Sequence, residues 1–190
     1  VIKDIIDLVL NFADRYKAGR ADLFNYHVEP LKDRVHEIHR DYMKSFVSAK
    51  SSLENKEVPV TDILSFLEQR RIELVGERDL VKSLADALLS MDRKFSVPFV
   101  FVALEEFAMA VSNYFVASNA IARASWYSDF INFMQVSRIM EDSNFFDKNY
   151  FGNDPRMDTI EHLNMIIDKR LPRALSEVNK NYAILRSALL

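Results

Sequence analysis

The sequence predicts an all-α protein, an elongated bundle of five to six long helices, two of them bent at proline. Three observations predict it. The chain of 190 residues has only 3 Gly and 5 Pro, too few turn residues for hairpins or a barrel. Apolar residues recur at alternating spacings of three and four along nearly the whole chain. No segment repeats at a fixed period and none is of low complexity. Hydrophobic residues make up 49% and charged residues 28%, a balance that sorts the chain with globular rather than disordered proteins. The length suits one domain over 1–190 with a sizeable core. The start at Val1 rather than Met and the abrupt ending RSALL fit an excerpt of a longer chain.

The first helix is expected over 2–18, with Ile2, Ile6, Val9, Ala13 and Tyr16 inward and Gly19 as its stop. The second runs over 21–56 on the stripe Phe24, Val28, Leu31, Val35, Ile38, Tyr42, Phe46, Ala49 and Leu53. After the turn at 57–60, Thr61 is the expected N-cap of a helix over 62–92, with Ile63, Leu67, Leu74, Val81, Ala85 and Leu88 inward. Ser96 and Pro98 open a fourth helix to about residue 124, because proline is tolerated in a first turn. A fifth, over 128–142, follows or continues it. Residues 143–154 form the one long loop. Asp154 and Pro155 then start a helix that reaches the C-terminus along Ile160, Ile167, Leu171, Val178, Leu185 and Leu189.

Pro30 and Pro172 fall inside two of these helices, where proline removes a hydrogen bond and costs roughly 3 kcal/mol. The apolar phase nevertheless carries past both at about 100° per residue, and both prolines point away from the stripe. Bent continuous helices are therefore expected rather than separate ones. Stripes of this length are buried only by an elongated bundle or by one that a partner chain completes.

The net charge of −3 gives no global basic field for nucleic acid or anionic membrane. The absence of cysteine excludes disulfides, thiolate zinc sites and cysteine nucleophiles, and fits a reducing, cytoplasmic setting. The start has no basic stretch or small-residue cleavage site of a signal peptide. The most apolar segment, 96–122, carries Glu105 and Glu106 near its middle. Two adjacent acids are costly in hydrocarbon, so it reads as a buried helix and not a membrane span.

Chemistry concentrates in RVHEIHRDYM, residues 34–43. At about 100° per residue, His39 lies about 65° and His36 about 125° from the centre of the apolar stripe. Met43 and Val47 share that flank, so His36, His39, Met43 and Val47 read as a contact surface for another helix or chain. A His-x-x-His pair can also seed a metal site. The Glu-x-x-His motif of di-iron bundles is missing from the chain, however, and no metal or cofactor is expected.

An arginine followed by four to six residues and a histidine resembles the spacing used by HEPN-type ribonucleases, which are all-helical, metal-independent and usually dimeric. It occurs at Arg20–His27, Arg34–His39 and Arg156–His162. The resemblance implies a histidine as general acid or base and an arginine holding the scissile phosphate. The residue after the arginine, often polar in that family, is here Ala21, Val35 or Met157. On a straight helix only Arg20 and His27 share a face; the other pairs diverge by about 140° and 120°.

Arg71 and Arg78 project close to the stripe of their helix, and near-core arginines are paired more often than they bind a ligand. Glu105 and Glu106 are the expected partners. In the loop, Phe145, Phe146, Tyr150 and Phe151 either cap the bundle or form an exposed hot spot. No Walker A, G-x-G-x-x-G, G-x-S-x-G, H-E-x-x-H or EF-hand pattern occurs. The expected role is a non-enzymatic helical module that binds a protein partner or itself, with a homo-oligomer favoured. The alternative is a HEPN-like ribonuclease, the one reading in which nucleic acid would be a partner. A third reading is a bundle binding a metal or small ligand.

Overall fold

In a computed structural model, the structure describes residues 24–89, 98–115, 125–136 and 154–189. These residues are helical with short connections, and no strand occurs among them. The fold is all-α. A π-helical turn at Phe24–Val28 leads into α1 (Glu29–Glu54). Then follow α2 (Val60–Glu73), α3 (Val75–Leu89), α4 (Pro98–Tyr114), α5 (Trp126–Val136) and α6 (Pro155–Met165). A second π turn, Ile166–Arg170, joins α6 to α7 (Leu171–Leu189). No described helix is long and apolar enough to cross a membrane.

Contacts divide the chain into two compact units. One comprises Val1–His39, Gly76–Phe115 and Arg173–Leu190; the other comprises Arg40–Val75 and Val116–Pro172. In the first unit, the π turn and the start of α1 meet α7. His36 Nε2 donates to Asn179 Oδ1 at 2.7 Å. Lys32 Nζ stands 5.0 Å from the Tyr182 ring centre, and the Phe24 and Phe107 rings stand 5.6 and 6.2 Å from it. In the second unit, Tyr42, Phe46, Tyr127 and Phe130 form one aromatic cluster, with ring centres 4.7–5.9 Å apart along its contacts.

The expected stripe of α1 is buried in full, from Phe24 to Leu53. In α2 and α3, Ile63, Leu67, Val81, Ala85 and Leu88 are buried, while Leu74 is half-buried at the junction. That junction corrects the single helix expected over 62–92. Leu74 takes a turn conformation, with its N–H directed at the Arg70 and Ile72 carbonyls. Gly76, a poor helix former, follows two residues later. The cap at the start of α2 also differs. The helix begins at Val60 behind extended Pro59, and no side chain caps it, so Thr61 lies inside the first turn. Two other starts follow the capping rule. Asp154 Oδ1 accepts the Arg156 N–H at 2.9 Å, with Pro155 inside the first turn. Ser125 Oγ accepts the Ser128 N–H at 3.3 Å ahead of α5.

Both internal prolines sit second in a helix, directly after a π turn, and both are exposed. A proline clashes with the carbonyl four residues back and cannot donate to it. Just ahead of Pro172 the bonding follows the wider turn: Leu171 N–H donates to Ile166 O, five residues back. The helix expected over 21–56 therefore has a π turn at its start, and the one expected to the C-terminus has a π turn in its middle. The helix expected over 2–18, its stop at Gly19, Ser96, the link over 116–124 and the loop aromatics Phe145, Phe146, Tyr150 and Phe151 lie outside the described residues.

Candidate functional site

The flank at 34–43 is used within the chain. His36 meets Asn179 of α7, and His39 Nδ1 shares a hydrogen bond of 3.1 Å with the Tyr114 hydroxyl of α4. Both residues are half-buried, and His39 has its pKa lowered by burial first and by neighbouring His36 second. Met43 is half-buried and Val47 exposed. Asp41 is half-buried. Its Oδ2 accepts the Tyr127 hydroxyl at 2.7 Å, and its Oδ1 accepts Arg70, which also pairs with Glu73. Burial pushes the Tyr127 phenol up, against a hydrogen bond from Ser45, so the phenol stays a proton donor to the carboxylate. These contacts join α1, α2 and α5 inside one unit.

Two of the three arginine–histidine spacings lie wholly within the described residues. Arg20 lies outside the described residues, and His27 is buried in the first π turn. Arg34 pairs with Glu37 at 2.7 Å on the surface, while His39 turns to Tyr114. Arg156 is occupied by backbone. Its Nη1 donates to the Leu53 and Asn55 carbonyls and its Nη2 to the Val58 carbonyl, each at 3.2 Å. A planar fork suits carbonyls that converge at and beyond the end of α1. Arg78 is buried, Arg71 and Glu105 are half-buried, and Glu106 is exposed.

His162 meets a different set of residues. Its ring lies parallel to Phe133, with centres 3.9 Å apart and 5° between planes. Its Nε2 is 3.9 Å from Asp129 Oδ2, and Arg170 Nη1 is 3.7 Å from the same oxygen. Nε2 and Oδ2 are both buried and have no hydrogen-bond partner among the described residues. Burial and then Arg170 lower the His162 pKa, and Asp129 opposes them. Sequence reasoning named His162 but missed Asp129 and Arg170. Among the described residues, no three His, Asp or Glu side chains lie close enough together to hold a metal ion.

The other unusual surface is on α4. The helix is apolar nearly all round, which normally means burial on every side. Its inward face, including Val100, Ala103, Leu104, Phe107, Ala108 and Val111, is buried. Yet Phe99, Val102 and Met109 remain 64%, 48% and 49% exposed. With exposed Glu106 they project within about 80° of one another, over about 15 Å of helix. The all-round apolarity of this segment was the signal that could have found them.

No protein-family model, no curated protein and no solved structure matches this chain.

Proposed function

We propose that this protein is a helical interaction module that pairs with a second copy of itself through the outer face of α4. The observation that carries the reading is the exposed line of Phe99, Val102 and Met109. Three large apolar side chains in one row are a contact surface rather than scattered exposure. A second α4 set antiparallel about a two-fold axis places Phe99 of one copy beside Met109 of the other. It places Glu106 beside Val102, so the two Glu106 carboxylates do not meet. No basic residue lies on α4, so a row of this composition suits an equally apolar helix better than an acidic partner. The face is small, and the dimer is expected to be weak and concentration-dependent.

Sedimentation over a micromolar to millimolar range tests this. The parent protein should shift from monomer toward dimer, and the exposed substitution Val102→Glu should hold it monomeric with an unchanged melting curve. A parent that stays monomeric throughout, or a Val102→Glu protein that dimerises equally well, overturns the reading.

A further inference from the structure

The second π turn does more than relieve Pro172. On a continuous α-helix, Arg170 would project about 80° away from His162, eight residues earlier. A π turn closes over five residues and advances roughly 82° per residue rather than about 100°. Over Ile166–Arg170 the lag accumulates to about 90°, which brings Arg170 to within roughly 10° of His162. The two side chains then reach one carboxylate oxygen, Asp129 Oδ2, from the same helix face. Five-residue turns of this kind are frequent at functional sites.

We propose that Asp129, His162 and Arg170 form a binding site for one phosphoryl group of a small phosphate ester. Asp129 faces Nε2 and favours the tautomer protonated there, which leaves Nδ1 as an acceptor on the other side of the ring. The parallel Phe133 ring fixes the imidazole plane. Arg170 presents Nη1 to Asp129, and the rest of its planar fork suits the oxygens of a phosphate. A phosphate monoester monoanion matches both groups, because its P–OH donates to Nδ1 and its other oxygens accept from the guanidinium. Asp129 offsets the arginine charge when no anion is bound. The side chains of Asp129, His162 and Arg170 are 10%, 17% and 29% exposed. All three therefore remain partly accessible.

The test is an NMR titration of the full chain with inorganic phosphate at constant ionic strength. The His162 ring signal is assigned by its loss in His162→Gln. The His162 signal should shift saturably in the parent. Arg170→Gln should weaken binding at least tenfold, and Lys169→Gln, on the exposed neighbour, should leave it unchanged. If Arg170→Gln does not fold, Arg170→Lys replaces it and must also weaken binding, because a point charge cannot supply the fork. No saturable shift, no loss in the Arg170 variant, or an equal loss in Lys169→Gln overturns the proposal. None of these readouts depends on α4, so dimerisation and phosphate binding fail or stand separately.

Discussion

The Tyr127 hydroxyl donates to Asp41 Oδ2 at 2.7 Å, and so holds a half-buried carboxylate that α1 would otherwise leave at its margin. Hydrogen bonds to charged groups contribute more than neutral ones, and removing one partner leaves the other desolvated. Tyr127→Phe should therefore lower stability by about 2 kcal/mol in urea unfolding. Asp41→Asn should cost less in that background than alone. Equal costs in both backgrounds would show that the two residues are not coupled.

Arg156 holds three carbonyls at and beyond the end of α1. Arg156→Met should destabilise the protein by about 1–3 kcal/mol, because polar groups at the end of the helix lose their donors. Arg156→Lys should restore little of this, since one ammonium cannot reproduce the fork. A catalytic arginine would behave in the opposite way: stability would be kept and RNA cleavage lost. Thermal melts and a cleavage assay on the same variant separate the two.

Arg78 is buried and Glu105 half-buried. A buried guanidinium is costly to leave unpaired. Arg78→Met and Glu105→Gln should each destabilise the protein, and the double variant should be less destabilised than the sum of the two. Additive losses would assign Arg78 to other partners.

Acid should weaken the fold through two histidines. The pKa values of His39 and His162 are both lowered from 6.5, in each case by burial first, and then by His36 for His39 and by Arg170 for His162. Below 6.5 the unfolded chain takes up protons that the folded chain still refuses, so stability rises with pH in that window. The stabilising contribution is complete above 6.5 and is lost as pH falls from there through the folded pKa values. Urea midpoints on either side of that value should show the fall. His39→Asn, which keeps a polar atom near Nδ1, and His162→Gln, which keeps one near Nε2, should each flatten part of it. An unchanged slope in both variants would place the acid sensitivity elsewhere.

Burial was the most legible property of this sequence. The row from Phe24 to Leu53 follows from spacing alone, because which face of a helix turns inward is set by its near neighbours. The same spacing put Pro30 and Pro172 on the outside. The partners of polar groups were not legible. Asp41 meets Tyr127 from 86 positions away and His36 meets Asn179 from 143 away, and no local period encodes such pairings. The contacts of Arg156 were illegible for a related reason. The backbone carbonyls it binds exist at every position, so sequence cannot mark them as its target. Asp129 escaped because it reaches His162 from a separate helix, and Arg170 because a uniform rotation per residue does not bring it to the face of His162. That uniformity fails at Ile166–Arg170.

The second π turn is equivalent to one extra residue carried inside an α-helix. Removing one residue from Ile166–Arg170 should convert it to ordinary α-helix and rotate the following segment by about 100° relative to α6. Pro172 would then face the carbonyl it now avoids. The residue count between Met165 and Leu171 is thus a specification in its own right, and a chain with similar side chains but one residue fewer there would separate His162 from Arg170.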